Sequence, residues 1–269
     1  MKINYLYNEN CLDTMARMED NFIDLTVTSP PYDNLRTYKG FEFDWQKVIK
    51  ELYRVTKKGG VVVWVVGDAT IKGSETGSSF KQALHAIDCG FNLHDTMIYN
   101  RQGKFPNKNR YWQDFEYMFI FSKGKPNNFN PIKEDAAWTK YRKTKSYRGR
   151  DRDKDGNFKK GGEIKYLDRQ KNISNVWKIK TGDNSTTKDK IAYKHPAIFP
   201  EQLANDHILS WSNKNDIVYD CFMGSGTTAK MAIINKRKWI GSEMSSEYCN
   251  IVHERLKQFD NDIFLNDND

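Results

Sequence analysis

Residues 216–233, DIVYDCFMGSGTTAKMAI, contain a short apolar run, a glycine turn and the start of a helix. Gly224 and Gly226 would let a ligand approach the backbone closely, and the N-terminus of the following helix offers free amide groups. A glycine turn alone is a weak signal, because many helices need a tight entry. Glu243, at the end of the next predicted strand, adds the acid that usually contacts ribose hydroxyls in nucleotide-type sites.

The sequence around this turn also restricts the kind of ligand. No G-K-[ST] follows the glycines, which disfavours a P-loop, and the glycine spacing is shorter than the dinucleotide fingerprint requires. The pattern favours an adenosine-containing ligand that lacks a pyrophosphate. We therefore predict S-adenosylmethionine as the cofactor.

Strand and helix patterns alternate on both sides of this motif. An apolar run at 22–28 and another at 61–67 predict buried strands. Residues 44–60 predict a helix that Asp44 caps and that Gly59–Gly60 stops, and 78–90 predict a second helix. This alternation, which resumes after residue 190, is typical of a mostly parallel α/β sheet with helices on both faces. Two further apolar runs, at 91–99 and 117–124, predict a β-ribbon at the sheet edge.

The first predicted strand ends in TSPPY, residues 28–32. Pro30 and Pro31 remove two backbone donors and end the strand at the sheet edge where open α/β sheets bind ligands. There the Ser29 hydroxyl and the Pro30 carbonyl can accept both hydrogens of an amino group, and Tyr32 can stack on the ring that carries it. The alternative is a Pro-Pro loop without chemistry, which the glycine turn and Glu243 in the same chain disfavour.

The positive charge of the chain is concentrated in its middle. The chain has 43 Lys and Arg against 35 Asp and Glu, and residues 125–190 alone hold nineteen of the former and nine of the latter. Clustered Lys and Arg on a near-neutral body point to a polyanion partner, although charge alone equally fits a solvated, flexible insertion. Residues predicted to meet phosphates and base edges are Arg142, Arg148, Arg150 and Arg152.

Several other classes of protein are disfavoured. The four cysteines are widely spaced and the histidines lack ligand spacing, so neither a metal site nor a disulfide framework is expected. No apolar segment resembles a signal peptide core, and the longest apolar run, at 61–66, is too short to span a bilayer. We expect a soluble cytoplasmic protein without a membrane partner.

TSPPY together with DCFMGSGTT, residues 220–228, closely resembles the amino-methyltransferases that modify DNA at cytosine N4 or adenine N6. Segments 7–15 and 195–204 resemble further motifs of that family. The order of the motifs resembles the β group, a circular permutation of the Rossmann-like class I methyltransferase fold. The resemblance implies a mostly parallel seven-stranded sheet with the last strand antiparallel, and a flipped base in the TSPPY pocket.

The same resemblance implies a division of labour along the chain. Residues 1–124 would form the catalytic part of the methyltransferase domain, 125–190 a basic target-recognition insertion, and 191–269 the part of the same domain that binds S-adenosylmethionine. The residues carried over for the target amine and base are Ser29, Pro30, Pro31 and Tyr32. The residues carried over for the cofactor are Asp220, Phe222, Gly224, Gly226 and Thr227 at its methionine end, His195 and Pro200 beside them, Glu243 at the ribose and Asn10 at the adenine.

This sequence departs from the family pattern at two positions. The family usually has an acid where Asn10 stands, although an amide can still hydrogen-bond the edge of the adenine ring. It usually has a proline where Cys221 stands, so the glycine loop is expected to be less rigid here. Neither departure touches the predicted chemistry.

The leading hypothesis is a site-specific methyltransferase that acts on double-stranded DNA. A serine at the first position of the TSPPY motif favours cytosine N4 in this family, and adenine N6 is the alternative. An RNA or protein amino-methyltransferase and a catalytically dead DNA-binding module are further alternatives, which the chain order and the intact motifs disfavour. A homodimer, which is common among relatives, and a restriction endonuclease counterpart are left open by the sequence.

Reversing the charge of Arg148 and Arg150 to Glu tests the assignment of the basic segment. We expect weaker DNA binding with a flatter dependence on salt, because fewer phosphate charges are neutralised on binding. Binding titrations of both proteins at several salt concentrations measure this. Unchanged binding would contradict the assignment.

Overall fold

The computed structural model describes residues 1–31, 43–101, 108–135, 154–157 and 170–259. The chain forms two compact units, one of Met1–Asn130 with Asn175–Asp269 and one of Pro131–Ser174. The predicted division at residues 125 and 190 stays a prediction. Five residues with predicted roles lie outside the described ranges: Tyr32, Arg142, Arg148, Arg150 and Arg152.

Twelve strands occur in the described residues. They are β1 (Tyr5–Tyr7), β2 (Ile23–Thr28), β3 (Thr56–Val66), β4 (Thr70–Ile71), β5 (Ser74–Glu75), β6 (Asn92–Asn100), β7 (Phe115–Ser122), β8 (Lys133–Asp135), β9 (Gln170–Asn172), β10 (Val176–Lys178), β11 (Ile217–Asp220) and β12 (Lys238–Ser242). In the larger unit, eight of them form one sheet in the order β1-β12-β11-β2-β3-β7-β6-β10. Its pairs are parallel except where β7 runs antiparallel to β3 and to β6. In the smaller unit, β8 and β9 pair antiparallel.

Strand β10, which pairs with β6 at the edge of the sheet, contradicts two predictions about this sheet. The predicted β-ribbon exists as the antiparallel pair β6 and β7, but its place at the sheet edge is wrong, because β7 lies between β3 and β6 and β10 pairs with β6. The described sheet also has eight strands, and not seven, since Val176–Lys178 adds a parallel strand. Trp177, which is 8% exposed, stacks on His207 with ring centroids 4.6 Å apart and holds this strand against the core.

Six α-helices occur in the described residues, on both faces of this sheet. They are α1 (Cys11–Ala16), α2 (Trp45–Val55), α3 (Ser78–Asp88), α4 (Glu201–Trp211), α5 (Thr227–Ile234) and α6 (Ser246–Leu256). The first three pack on one another, and α4 and α5 pack on each other and on β2, β11 and β12. Every residue from Val61 to Val66 is buried, and alternate members of this run, Val62, Trp64 and Val66, join the core beneath α1 to α3. A strand buried on both sides explains the continuous apolar run, and the predicted fold class is confirmed. The circular permutation stays a prediction.

The end of α2 differs from the expectation. Asp44 caps the helix as predicted and accepts a hydrogen bond from the Lys47 amide at 3.1 Å. However, the helix ends at Val55, and Thr56 already has an extended backbone that pairs with Ile23. The Thr56 hydroxyl donates to the last-turn carbonyl of Leu52 at 2.6 Å. A β-branched threonine therefore ends the helix, and the prediction that Gly59–Gly60 stop it is wrong, because both glycines lie within β3.

A buried ion network that the sequence analysis did not anticipate joins distant parts of the larger unit. The fully buried Arg255 donates to Asp189 Oδ2 at 2.7 Å and to Glu201 Oε1 at 2.6 Å, and Lys230 Nζ donates to the same two oxygens at 2.7 Å. Burial alone would raise the pKa of both carboxyls, but the hydrogen bonds from Lys230 and Arg255 hold each pKa below its ordinary value. Both carboxylates therefore stay ionised in the fold.

Replacing Arg255 by Met tests this network. We expect the free energy of unfolding to fall by about 3 kcal/mol at neutral pH, because two partly buried carboxylates lose a partner. Since their folded pKa values are lowered, the stability that they contribute is present at neutral pH and is lost as the pH falls below about 4.5. The difference between the variant and the parent protein should therefore shrink in acid.

Urea unfolding at pH 7 and pH 3 measures both effects. Lys257→Met is the matched control, because Lys257 pairs with Glu254 on the surface and exposed pairs contribute about 0–1 kcal/mol. Equal losses in the two variants would contradict a stabilising role of the buried network.

Candidate active site

A cavity of about 1340 Å³ opens at the carboxyl ends of the parallel strands. The carboxyl ends of parallel strands meet at one edge, so residues far apart in the sequence converge there. The predicted site residues that line the cavity are Asn10, Ser29, Pro30, Pro31, His195, Pro200, Asp220, Phe222, Gly224, Thr227 and Glu243. Gly226 is not among the lining residues.

Asp220, at the end of β11, connects the two predicted halves of the site. Its carboxylate accepts hydrogen bonds from the hydroxyls of Thr28 at 2.6 Å and Thr228 at 2.7 Å, and from the Phe222 amide at 3.0 Å. Burial raises the pKa of this carboxyl, and these hydrogen bonds act in the opposite direction. Asp220 thus fastens the residue before Ser29 to the glycine loop, and its predicted contact with a cofactor stays a prediction.

Glu243 follows β12 and faces the glycine loop. Its Oε2 accepts from the Gly224 amide at 2.9 Å and its Oε1 accepts from the Ser245 amide at 2.9 Å. Burial raises the pKa of this carboxyl. Each carboxylate oxygen has two lone pairs, so Glu243 keeps capacity for further donors such as a pair of hydroxyls.

Gly224 lies where a side chain would be strained and tightly packed. Its φ is +52°, a left-handed value that favours glycine, and a Cβ there would lie 3.1 Å from His195 Nε2. The His195 ring packs edge-to-face on Tyr248 at 4.3 Å, and its Nδ1 lies 2.9 Å from the Ala197 carbonyl oxygen. The segment that begins at His195 therefore closes one side of the loop.

Gly226 has a packing role. It precedes α5 with a φ of +81°, and a Cβ there would lie 2.9 Å from Val252 Cγ1. The Arg255 guanidinium supports the same turn by donating to the Ser225 carbonyl at 3.0 Å and to the Thr227 hydroxyl at 2.9 Å. Side chains of α6 therefore hold this turn in place. The predicted role of Gly226 in cofactor binding stays a prediction.

Asn10 caps a helix with its side-chain oxygen, while its side-chain NH2 group meets no acceptor among the described residues. Its Oδ1 accepts from the Leu12 amide at 2.9 Å and caps α1. Within the described ranges its Nδ2 group donates to no protein acceptor. The side chain therefore presents a donor at the cavity, and not the acceptor that an acid would present.

The far wall of the cavity is formed by residues that belong to none of the sequence motifs. It is lined by Tyr99 near the end of β6, Arg101 directly after β6, and Glu116 near the start of β7. The signal was available in part, because residues 91–99 were predicted as a strand and its carboxyl end meets the same edge. What was missing was the neighbour of that strand, since no local pattern shows that β7 inserts beside β3.

The described residues contain neither a cluster of metal ligands nor a helix of membrane-spanning character. Nowhere in these ranges do three or more His, Cys, Asp and Glu side chains gather as a metal ion would require. None of the helices that the structure describes combines the length and apolar character needed to cross a membrane.

Comparisons with known proteins agree with this architecture. A family model described as DNA methylase matches residues 23–254. The chain is 58% identical over 248 residues to the orphan methyltransferase M.BamHII of Bacillus amyloliquefaciens, which covers 89% of this chain and 91% of that protein. It is 29% identical to the type II methyltransferase M.BglII of Bacillus subtilis, over 94% of this chain and 69% of the relative.

Solved structures share the fold. The PvuII DNA methyltransferase (cytosine-N4-specific) superposes with a TM-score of 0.68 at 22% identity, over 93% of this chain and 85% of that one. The M1.HpyAVI–SAM complex superposes with a TM-score of 0.58 at 20% identity, over 93% of this chain and 98% of that one.

Replacing Thr28 by Val tests the bridge through Asp220. We expect the free energy of unfolding to fall by about 1–3 kcal/mol, because a buried carboxylate loses a donor. The loss of this donor raises the folded pKa of Asp220 further. Since a raised folded pKa makes stability fall as the pH rises through it, the cost should be larger at pH 8 than at pH 4.

Thr26→Val is the matched control for this measurement. Thr26 lies on the same strand, is fully buried and has a hydroxyl without a partner in the described part of the chain. Its replacement should leave stability unchanged or raise it slightly. Equal urea midpoints for the two variants would contradict the role of Asp220.

Proposed function

Because the chain belongs to the N6/N4 family of DNA methylases, we propose that it transfers a methyl group from S-adenosylmethionine to the N4 amine of a flipped cytosine in double-stranded DNA. The observation that carries the proposal is the single cavity that Ser29, the glycine loop and Glu243 share. Family membership supplies the reaction class, and the geometry supports the roles of the residues.

The size of the cavity supports two ligands side by side. Sites for one small molecule usually enclose about 300–1,000 Å³. The cavity of about 1340 Å³ exceeds that range, and its lining includes Ser29 together with residues that follow the strands on either side of β2. This volume suits a cofactor together with a base.

The residues at the glycine loop fit the proposed cofactor. Glu243 has acceptor capacity for the two ribose hydroxyls, and the Asn10 Nδ2 group can donate to a nitrogen of the adenine ring. Gly224 keeps the loop free of a side chain, and Thr227 stands at the N-terminus of α5. S-Adenosylmethionine, when bound, would supply the methyl group of its sulfonium. The rest of the cofactor would leave as a neutral thioether.

Ser29 and Pro30 provide the chemistry at the target. An amine conjugated to a ring is a poor nucleophile, because its lone pair is delocalised. The Ser29 hydroxyl oxygen and the Pro30 carbonyl accept its two hydrogens, which favours a tetrahedral nitrogen with an available lone pair. The nitrogen–carbon bond forms as the carbon–sulfur bond breaks, the electron pair stays on sulfur, and the nitrogen loses one proton to water. The adjacent Pro31 keeps the backbone rigid, so the acceptors stay in place.

Two observations favour cytosine as the target base. Ser29 stands at the first position of the motif, where the family resemblance associates serine with N4 methylation. The structural neighbour with a TM-score of 0.68 is named as cytosine-N4-specific. Adenine N6 is the alternative outcome of the test below.

The assembly and the cellular partners are part of the proposal too. The relative that is 58% identical is named an orphan methyltransferase, which supports an enzyme that acts without a paired restriction endonuclease. The name of the type II relative supports the opposite arrangement. An endonuclease counterpart, a homodimer and a cytoplasmic location stay predictions.

Ser29→Ala tests the proposed chemistry. We incubate the parent protein and the variant with unmethylated genomic DNA and S-adenosylmethionine, digest to nucleosides and measure methylated bases by mass spectrometry. The parent should form N4-methylcytosine, and the variant should be slower by about 100-fold or more, because one acceptor that acts on the transition state is lost. Calorimetry should show unchanged cofactor binding in the variant.

Two other results would contradict the proposal. N6-Methyladenine as the sole product would overturn the choice of base. No methylated base in the parent, despite cofactor binding by calorimetry, would overturn double-stranded DNA as the substrate.

A further inference from the structure

Tyr99 is a buried tyrosine whose hydroxyl has no partner in the described part of the chain. It lies in β6, is 2% exposed and lines the cavity. No hydrogen bond joins its hydroxyl to another described residue. The ring is buried, whereas the hydroxyl stays accessible from the cavity, so it is available as a donor to a ligand there.

The order of the strands shows which ligand Tyr99 faces. Along the carboxyl edge, β12 carries Glu243, β11 leads into the glycine loop, β2 leads to Ser29, and β3 and β7 separate β2 from β6. Neighbouring strands are about 4.8 Å apart, so β6 lies about 14 Å from β2. The proposed cofactor residues lie on one side of Ser29 and Tyr99 lies on the other. Because the methyl group crosses at Ser29, the base occupies the side of Tyr99.

The strand order leaves a gap between Ser29 and Tyr99. Because β3 and β7 lie between their strands, the two backbones are too far apart for a direct contact between the two side chains. A base that lies between Ser29 and Tyr99 could therefore be contacted from both ends.

The surroundings of Tyr99 keep its hydroxyl in the donor form. Tyr99 pairs across the strands with Glu116, whose carboxylate accepts from Arg101 Nη1 at 3.2 Å. Burial, with a smaller effect of the Glu116 charge, raises the pKa of Tyr99. The hydroxyl thus keeps its proton at neutral pH and can donate to a carbonyl oxygen.

We propose that Tyr99 is a specificity-determining residue whose hydroxyl donates a hydrogen bond to the O2 carbonyl of the flipped cytosine, while Ser29 and Pro30 hold the N4 amine at the other end of the ring. The inference rests on the proposed function and adds the residue that selects the base. Adenine carries a C–H group where cytosine carries O2, so an adenine in the same place leaves the Tyr99 hydroxyl unpaired. A site built to donate to a carbonyl rejects a ring that lacks one.

Tyr99→Phe removes the hydroxyl alone and tests the contact. The recognition sequence is first mapped by sequencing DNA that the parent protein has methylated, and an oligonucleotide with that site serves as substrate. We expect kcat/KM to fall by about 5- to 100-fold, because the buried O2 atom loses its donor. Cofactor binding by calorimetry should not change.

Stability separates this role from a structural one. Because the Tyr99 hydroxyl has no described protein partner, Tyr99→Phe should leave the melting temperature unchanged or raise it. Tyr219→Phe is the matched comparison, since the buried Tyr219 hydroxyl bonds the Ser242 hydroxyl at 2.8 Å and its loss should lower the melting temperature. A fall in melting temperature for Tyr99→Phe as large as that for Tyr219→Phe would overturn the inference.

A substrate change completes a double-mutant cycle. A target nucleotide with 2-aminopyridine as a C-nucleoside keeps the amine and the adjacent ring nitrogen of cytosine, stays neutral and carries a C–H group in place of O2. This analogue should slow the parent protein to the rate of Tyr99→Phe, and the variant should lose nothing further on it. The same fold loss from Tyr99→Phe on both substrates would overturn the contact.

The two levels of the proposal fail differently. If the parent protein forms N4-methylcytosine and Tyr99→Phe does so at an equal rate, the inference about Tyr99 is overturned and the proposed function stands. If the parent forms only N6-methyladenine, or no methylated base, the proposed function itself is overturned.

Discussion

The carboxylate of Asp220 is the constraint on which the rest of the site depends. It lies at the carboxyl end of β11, buried, and binds hydroxyls from two other elements, Thr28 at the end of β2 and Thr228 in α5. A buried carboxylate without these donors would be costly, so the three elements are held in one arrangement. Ser29 follows Thr28 directly, and Gly224 follows Asp220 by four residues. The distance between the proposed target acceptor and the proposed cofactor loop is therefore set by one buried carboxyl group whose hydrogen bonds are satisfied, as catalysis by positioning requires.

The buried ion network of Arg255 stabilises the same arrangement. Arg255 in α6 holds the turn at Ser225 and, through Asp189 and Glu201, the chain that leads to His195 and Pro200. A buried ion pair adds little net stability compared with apolar packing, but losing one member leaves the others uncompensated. In this network Arg255 and Lys230 each donate to both Asp189 and Glu201, so four segments of the chain are joined at one point. The glycine loop is consequently held at two points, by Asp220 through the Phe222 amide and by Arg255 through the Ser225 carbonyl.

The sheet order divides the cavity into two functional sides. The strand that leads to Ser29 lies between β11, which leads to the glycine loop, and the strands β3, β7 and β6. A methyl group that moves across Ser29 therefore passes from one half of the sheet edge to the other. On the second half the wall is formed by Tyr99, Arg101 and Glu116, none of which belongs to a glycine or proline motif. The residues proposed to hold a cofactor have a recognisable local pattern, whereas those proposed to face a base are defined by where their strands pair.

The sequence by itself determined the class of fold and most of the site. Strands buried on both faces need continuous apolar residues, the Gly224 turn needs a left-handed backbone, and Asp44 caps a helix by a contact three residues away, so each leaves a local signal. Only the tertiary structure decided the end of α2 at Thr56, the eighth strand, the bridge through Asp220, the network of Arg255 and the position of Tyr99. Each of these depends on a partner from another part of the chain, such as Ile23 for Thr56 and Asp189 for Arg255. Such partners leave no periodic or spacing signal, because a buried charge or hydroxyl is satisfied by whichever segment the sheet order brings beside it.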